Sequence, residues 1–171
     1  ARRQHEVDAQ RARELGQDTV VVQRMRTAGL LHDIGKVAIP QSLLNKPGRL
    51  TSEEFAKLMT HPVVGWEICK PLRTAQSVLD CILYHHERFD GCGYPHGLAG
   101  ESIPYQARML AVADALDALT SERAYRRSLS VEEAVALLGH ETEAGKWDPE
   151  IFAALTRLAS RGQADPRRLE I

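Results

Sequence analysis

The sequence predicts an all-α fold, a bundle of about seven helices, and three observations lead to this prediction. Apolar residues recur at helical spacing along most of the chain. Strand-like alternation of apolar and polar residues is not sustained anywhere. Glycine and proline concentrate in two stretches, which we expect to be irregular connections between helices.

The first clear helix is predicted from Asp18, a suitable cap, to about His32, with Val21, Met25 and Ala28 on the same face as His32. Later helix starts are marked by capping boxes and by prolines suited to a first turn. The residues concerned are Thr51 with Glu54, Ser130 with Glu133, Pro62, Pro104, Pro149 and the cap Asp148.

The irregular stretches run from 33 to 49 and from 88 to 103. The second spans roughly 16 residues, and a connection of that length in a compact domain is usually functional or disordered. Gly91 and Gly93 within it allow a tight backbone path.

Residues 107–119 are apolar on nearly every side, which predicts a buried helix. Asp114 and Asp117 interrupt it, and a buried carboxylate is costly unless it is paired or binds a metal ion. Asp114 could equally meet an arginine or accept backbone hydrogen bonds, so these carboxylates alone do not define a site.

Size, composition and charge limit the class of protein. The 171 residues fit one domain, residues 1–171, and 43% hydrophobic residues suffice for a core. The 22 Lys and Arg nearly balance 23 Asp and Glu, so nothing indicates broad affinity for a DNA or RNA polymer or for a membrane surface. No apolar run reaches the roughly 18 residues of a membrane-spanning helix.

The three cysteines, Cys69, Cys81 and Cys92, form no CxxC pair, and their odd number argues against a disulfide framework. A reducing compartment keeps such thiols free. We therefore expect free cysteines and a cytoplasmic location.

Several histidines occur beside helix ends. His32 and Asp33 end the first helix, where they could bind a metal ion or simply form a cap, and Lys36 follows one turn later. His61 precedes a helix start and, taken alone, could be a surface residue. None of these residues is strong evidence by itself.

The adjacent pair His85 and His86 changes that assessment. As neighbours on a predicted helix, their side chains should diverge by about 100°, so we expect them to straddle a site. Four imidazoles and two carboxylates are a ligand mix that suits Fe, Mn or Zn and lacks the thiolates of a structural zinc site. Six ligands exceed the need of one open catalytic ion and suit two ions with Asp33 bridging.

Six segments resemble, in order, the HD-GYP family of bacterial signalling phosphodiesterases, a branch of the HD hydrolase superfamily. They are LLHDIGKVAIP, LNKPGRLTSEEF, HPVVGWEI, YHHERFDGCGYPHGL, ESIPYQARMLAVADALDALTSERAYR and WDPEIFAAL. The resemblance covers residues 28–155. An HD pair alone is unspecific, whereas its combination with HHE, DGxGYP and the VADALDALTS helix is specific.

The resemblance implies an HD-domain helical bundle with a long GYP loop. It also implies a centre of two or three divalent metal ions, iron or manganese rather than zinc, and hydrolysis of cyclic di-GMP to linear pGpG or GMP. The implied metal ligands are His32, Asp33, His61, His85, His86 and Asp114. Asp33 and Lys36 would serve catalysis, Gly93, Tyr94 and Pro95 would border the substrate, and Arg123 and Arg126 would meet its phosphates.

One feature departs from the family pattern. Family members usually carry a further metal-binding histidine on their first helix, and its expected position falls just before Ala1. His5 is the only histidine nearby and is displaced by more than one turn, within a stretch too polar for a core helix. We therefore expect a domain truncated or diverged at this end, with one metal position short of a ligand.

Two other functions stay open at this stage. The chain could be a catalytically weak or inactive signalling module that binds cyclic di-GMP or a protein partner through the GYP surface. It could also hydrolyse another nucleotide, such as a different cyclic dinucleotide or a guanosine alarmone, although the GYP loop argues against the alarmone. The family pattern further implies an attached sensor or receiver domain, and we also expect a homodimer.

Overall fold

The computed structural model describes residues 19–122 and 127–161. Within these ranges it contains seven α-helices of seven or more residues and no strand, which confirms the predicted all-α class. We number them α1 (Thr19–Leu31), α2 (Ser52–Leu58), α3 (His61–Cys69), α4 (Gln76–Tyr84), α5 (Tyr105–Thr120), α6 (Val131–Glu143) and α7 (Pro149–Ser160). A four-residue helix, Gln41–Leu44, and the 3₁₀ segments Ile34–Ala38, Lys70–Leu72 and Gly100–Ser102 lie between them.

Local sequence signals set most helix limits. The capping boxes predicted at the starts of α2 and α6 are both present, each with its two reciprocal hydrogen bonds. Asp148 caps α7 by accepting hydrogen bonds from the backbone N–H groups of Glu150 and Ile151. The predicted cap Asp18 lies outside the described residues.

The prediction of a wholly irregular stretch from 33 to 49 is wrong, because this stretch holds a 3₁₀ segment and a short helix. The apolar side chains of Ile39 and Leu43 are buried there, and local turns such as the Leu43 N–H to Pro40 C=O hydrogen bond pair the backbone groups around them. Residues 88–103 contain only one 3₁₀ turn, as expected for a long connection.

Helix α5 is the centre of the bundle, as its apolar sequence predicts. It packs against α1, α4, α6 and α7. Its buried residues include Met109, Leu110 and Leu116. Arg108 on the same helix forms an ion pair with the buried Asp148, which ties α5 to the start of α7.

Cys69 and Cys81 are buried, Cys92 is exposed, and all three are free thiols as predicted. No helix in the described ranges has the length and apolar character needed to cross a bilayer.

Gly35 allows the closest backbone contact near the histidines. It lies in the 3₁₀ segment that follows Asp33, and this segment packs directly on α3. A Cβ added at Gly35 would lie 1.9 Å from the carbonyl oxygen of His61 and 2.5 Å from the backbone nitrogen of Gly65. Only glycine therefore lets the end of α1 and the start of α3 approach this closely.

We predict that Gly35→Ala lowers the free energy of unfolding by about 2 kcal/mol or more, because two backbones must separate to admit the methyl group. Urea denaturation followed by circular dichroism measures the loss. Gly139→Ala in α6 is the matched control, since an added Cβ there meets only the Phe152 ring, at 3.2 Å. We expect the control to stay within about 1 kcal/mol of the parent. Equal unfolding midpoints for the two variants would contradict the prediction.

Candidate metal centre

Three helix ends deliver histidines to one place. His32 follows α1, His61 begins α3, which two residues separate from the end of α2, and His85 follows α4. In each ring Nδ1 lies within hydrogen-bond distance of the backbone carbonyl three residues earlier, at 2.8, 2.7 and 2.9 Å respectively. A carbonyl oxygen can only accept a hydrogen bond, so Nδ1 must carry the donated hydrogen. In the neutral ring Nε2 then has a free lone pair. These carbonyls belong to Gly29, Leu58 and Ile82.

The Nε2 atoms converge with a carboxylate. Those of His61 and His85 are 3.3 Å apart, and Asp33 Oδ1 lies 3.3 Å from the first and 3.9 Å from the second. One ligand atom from each of Asp33, His61, His85 and His86 lies within 4.8 Å of the others. Asp33 Oδ1 is buried and makes no hydrogen bond within the described residues. A buried group of acceptors without hydrogens between them is unfavourable unless a cation lies among them, so these residues fit a divalent metal ion.

The remaining two predicted ligands flank this group. His32 Nε2 lies 3.5 Å from Asp33 Oδ2 and 3.6 Å from Asp114 Oδ1. Burial disfavours the charged ring, but hydrogen bonds to Asp114 and Asp33 outweigh it and raise the pKa of His32 to about 10. His32 would have to lose this proton to bind a metal ion. Asp114 therefore pairs with a histidine, not with an arginine.

His85 and His86 are not neighbours on a helix, which corrects the sequence prediction. Helix α4 ends at Tyr84, and both residues lie in the turn that follows. Their ring centroids are 4.1 Å apart, so the two rings lie side by side at the end of the helix. Burial, reinforced by the neighbouring histidines, lowers the pKa of His85 well below its usual value and that of His86 to about 3. Both rings are thus neutral and able to ligate.

Lys36 supplies the cation that the sequence placed beside this group. Its Nζ donates to Asp33 Oδ2 at 2.6 Å. Burial acts to raise the pKa of Asp33, but the hydrogen bond from the protonated His32 ring and the charges of His32 and Lys36 outweigh it and hold that pKa well below its usual range. Asp33 is therefore ionised at neutral pH.

The loop after His86 folds back over the site. Tyr94 N–H donates to the His86 carbonyl at 3.2 Å, and the Tyr94 ring stacks on the His86 ring with centroids 4.8 Å apart. Gly93 makes this possible, because a Cβ there would lie 2.4 Å from the Arg88 nitrogen. Burial raises the pKa of the Tyr94 hydroxyl.

A pocket of about 420 Å³ opens beside the histidines. Its walls include His85, His86, Asp114, Gly93 and Tyr94. Pro95 instead borders a second, apolar hollow of about 310 Å³ on the opposite side of Tyr94. His96, expected at the surface, is exposed. His5, Arg123 and Arg126 lie outside the described residues.

Sequence reasoning missed two residues of the site. Glu87 is 2% exposed, and its carboxylate accepts hydrogen bonds from the backbone N–H groups of His96 and Leu98, which hold the loop in place. Its position in the HHE segment was the sequence signal that could have identified it. Trp147 lines the pocket from the segment before α7, and its place at the start of the WDPEIFAAL segment was the only sequence signal for it.

Comparison with known proteins identifies the family of the chain. The family model for the HD domain matches residues 1–151. The cyclic di-GMP phosphodiesterase PA4108 of Pseudomonas aeruginosa is 44% identical over 147 residues, which cover 85% of this chain and 35% of that protein. The cyclic di-GMP phosphodiesterase response regulator RpfG of Xanthomonas campestris is 41% identical over 148 residues, covering 85% of this chain and 39% of the relative. The chain thus spans less than half the length of either relative.

Among solved structures, Bd1817 of Bdellovibrio bacteriovorus, described as an HDG"Y"P protein, has the same fold. The TM-score is 0.72 at 23% sequence identity, over 92% of this chain and 51% of that one. The family match over most of the chain, the two relatives and the shared fold lead to one assignment: the chain belongs to the HD-domain family, in its HD-GYP branch.

Proposed function

We propose that this chain is a metal-dependent phosphodiesterase that hydrolyses cyclic di-GMP to linear pGpG or GMP. The observation that carries the proposal is the convergence of acceptor atoms from Asp33, His61, His85 and His86, of which His85 and His86 also line a pocket large enough for a small ligand. The names of the two relatives support cyclic di-GMP as the substrate.

The ligands that we propose are His32, Asp33, His61, His85, His86 and Asp114, which would hold two ions, or three if further ligands are supplied. Imidazole and carboxylate donors suit iron, manganese or zinc, and the family resemblance favours iron or manganese. Bound divalent ions would act as Lewis acids that lower the pKa of water and offset negative charge on the phosphate.

The chain's own residues would orient the substrate. Lys36 Nζ, next to Asp33, places a positive charge beside the site for a phosphate oxygen or the leaving oxygen. Gly93 and Tyr94 border the pocket, where they would limit the position of the dinucleotide. We propose that Arg123 and Arg126 would bind the phosphates of the dinucleotide. Pro95 would border the same substrate from the GYP loop.

We further propose that the domain works in the cytoplasm, attached to a sensor or receiver domain. The relatives are more than twice as long as the matched region, and one is named a response regulator. Free, partly buried thiols suit a reducing compartment. A homodimer, or a signalling protein bound at the GYP surface, would transmit the signal of the sensor or receiver domain to the candidate metal centre.

Protein reconstituted with Mn²⁺ or Fe²⁺ should convert cyclic di-GMP to pGpG or GMP, as followed by chromatography. We predict that Asp33→Ala and His85→Ala lower turnover by at least about 100-fold, because each removes a ligand from the site. His140→Ala is the matched control, since that side chain is 82% exposed and remote in sequence from the candidate ligands.

Circular dichroism should show native helix content in all three variants. Wild-type rates in both Asp33→Ala and His85→Ala would contradict the site assignment. Full metal content without turnover of cyclic di-GMP, 3′3′-cGAMP or other cyclic dinucleotides would instead identify a binding module.

Metal binding has a test that does not depend on activity. After removal of metal with a chelator, adding Mn²⁺ at about 100 times its Kd should raise the melting temperature by roughly 5–10 °C, since the ion binds only the folded chain. We predict that His86→Ala greatly reduces this rise and that His140→Ala retains it. A melting temperature that does not respond to Mn²⁺ or Fe²⁺, together with well under one ion per chain by elemental analysis, would contradict a metal centre.

A further inference from the structure

One part of the pocket wall has a different chemistry from the metal centre. Besides the candidate ligands His85, His86 and Asp114, the pocket is lined by Trp147, Lys146 and Arg88. This inference rests on the proposed function, because it concerns the part of the substrate that would extend away from the reacting phosphate.

The Trp147 indole is fixed before any ligand binds. Its Nε1–H donates to Glu141 Oε2 at 2.8 Å, while Lys146 Nζ donates to the other oxygen, Oε1, at 2.7 Å. The same ammonium lies 4.7 Å from the centroid of the Trp147 ring. Lys146 also accepts a backbone hydrogen bond from Phe89 N–H at 3.0 Å, which connects this segment to the loop after His86. One carboxylate thus holds both the ring and the cation next to it.

The charges on this wall are already paired. Lys146 is neutralised by Glu141, and Arg88 forms an ion pair with Asp90. A second phosphate placed here would have to compete with those carboxylates, whereas an uncharged planar ring would not. The wall is therefore suited to a nucleobase and not to a second phosphate.

Two further aromatic rings of the pocket contact each other or a candidate ligand. Tyr94 stacks on His86, and Phe55 packs edge-on against Tyr94 with centroids 6.3 Å apart. Ala111 and Ala115, one turn apart on α5, also line the pocket and contribute only methyl groups, which leave room for a ligand.

We propose that Trp147 is a substrate-binding residue that stacks on a base of the cyclic dinucleotide, and that Glu141 is the positioning residue that fixes the indole for this contact. Stacking of an aromatic side chain on a base tolerates any base, because each has a π-face. The phosphate would remain at the metal centre and Lys36.

Fluorescence tests the contact without any need for turnover. The chain has two tryptophans, so Trp66→Phe leaves Trp147 as the sole reporter. Excited at 295 nm in Mn²⁺ buffer, this variant should show saturable quenching by GMP and little by ribose 5-phosphate, which has the same phosphate and sugar but no base. Equal quenching by both compounds, or none by GMP, would overturn the base site.

Kinetics provide the second measurement. Trp147→Ala should raise KM for cyclic di-GMP about tenfold or more with kcat nearly unchanged, and Trp147→Phe should restore most of the loss. Glu141→Ala should reproduce the KM effect, while Glu141→Gln, which keeps an acceptor for the indole N–H, should restore it in large part. A fall in kcat with unchanged KM in Trp147→Ala would overturn the assignment.

If no cyclic dinucleotide is turned over, the phosphodiesterase proposal fails, and the GMP quenching still decides the base site.

Discussion

The hydrogen bond from each histidine Nδ1 to a backbone carbonyl three residues earlier determines which nitrogen faces the site. At the end of a helix the last carbonyls lack intrahelical partners, so a histidine placed just beyond can satisfy one of them. His32, His61 and His85 all use this arrangement. The ring orientation therefore comes from the helix end, and the lone pairs converge because three helix ends converge.

That convergence depends on close backbone packing. Gly35 brings the segment after Asp33 against the start of α3, where a methyl group would collide with the His61 carbonyl. Gly93 plays a similar part for the loop that covers His86, and the buried carboxylate of Glu87 holds the far side of that loop through two backbone N–H groups. The candidate ligands thus belong to segments that are each fixed by a separate contact.

The electrostatics of the pocket divide it into two regions. Around Asp33 and Asp114, ionised carboxylates and the neutral imidazoles of His85 and His86 favour a cation, and the raised pKa of His32 has the same electrostatic cause. Around Trp147, each basic group is paired with an acid. A phosphodiester with an attached base would suit both regions. Its phosphate would lie near Asp33 and Asp114, and its base would lie near Trp147.

The sequence by itself determined the helical class, the capping boxes, the buried helix α5 and the identity of the histidines and aspartates, because these depend on local spacing and on residue chemistry. Tertiary structure alone decided how the ligands meet. His85 and His86 were expected to diverge on a helix, yet the helix ends at Tyr84 and their rings lie side by side. Trp147 joins the site from a segment more than sixty residues after His85. Such contacts arise from the packing of distant segments, which no local pattern of residues specifies.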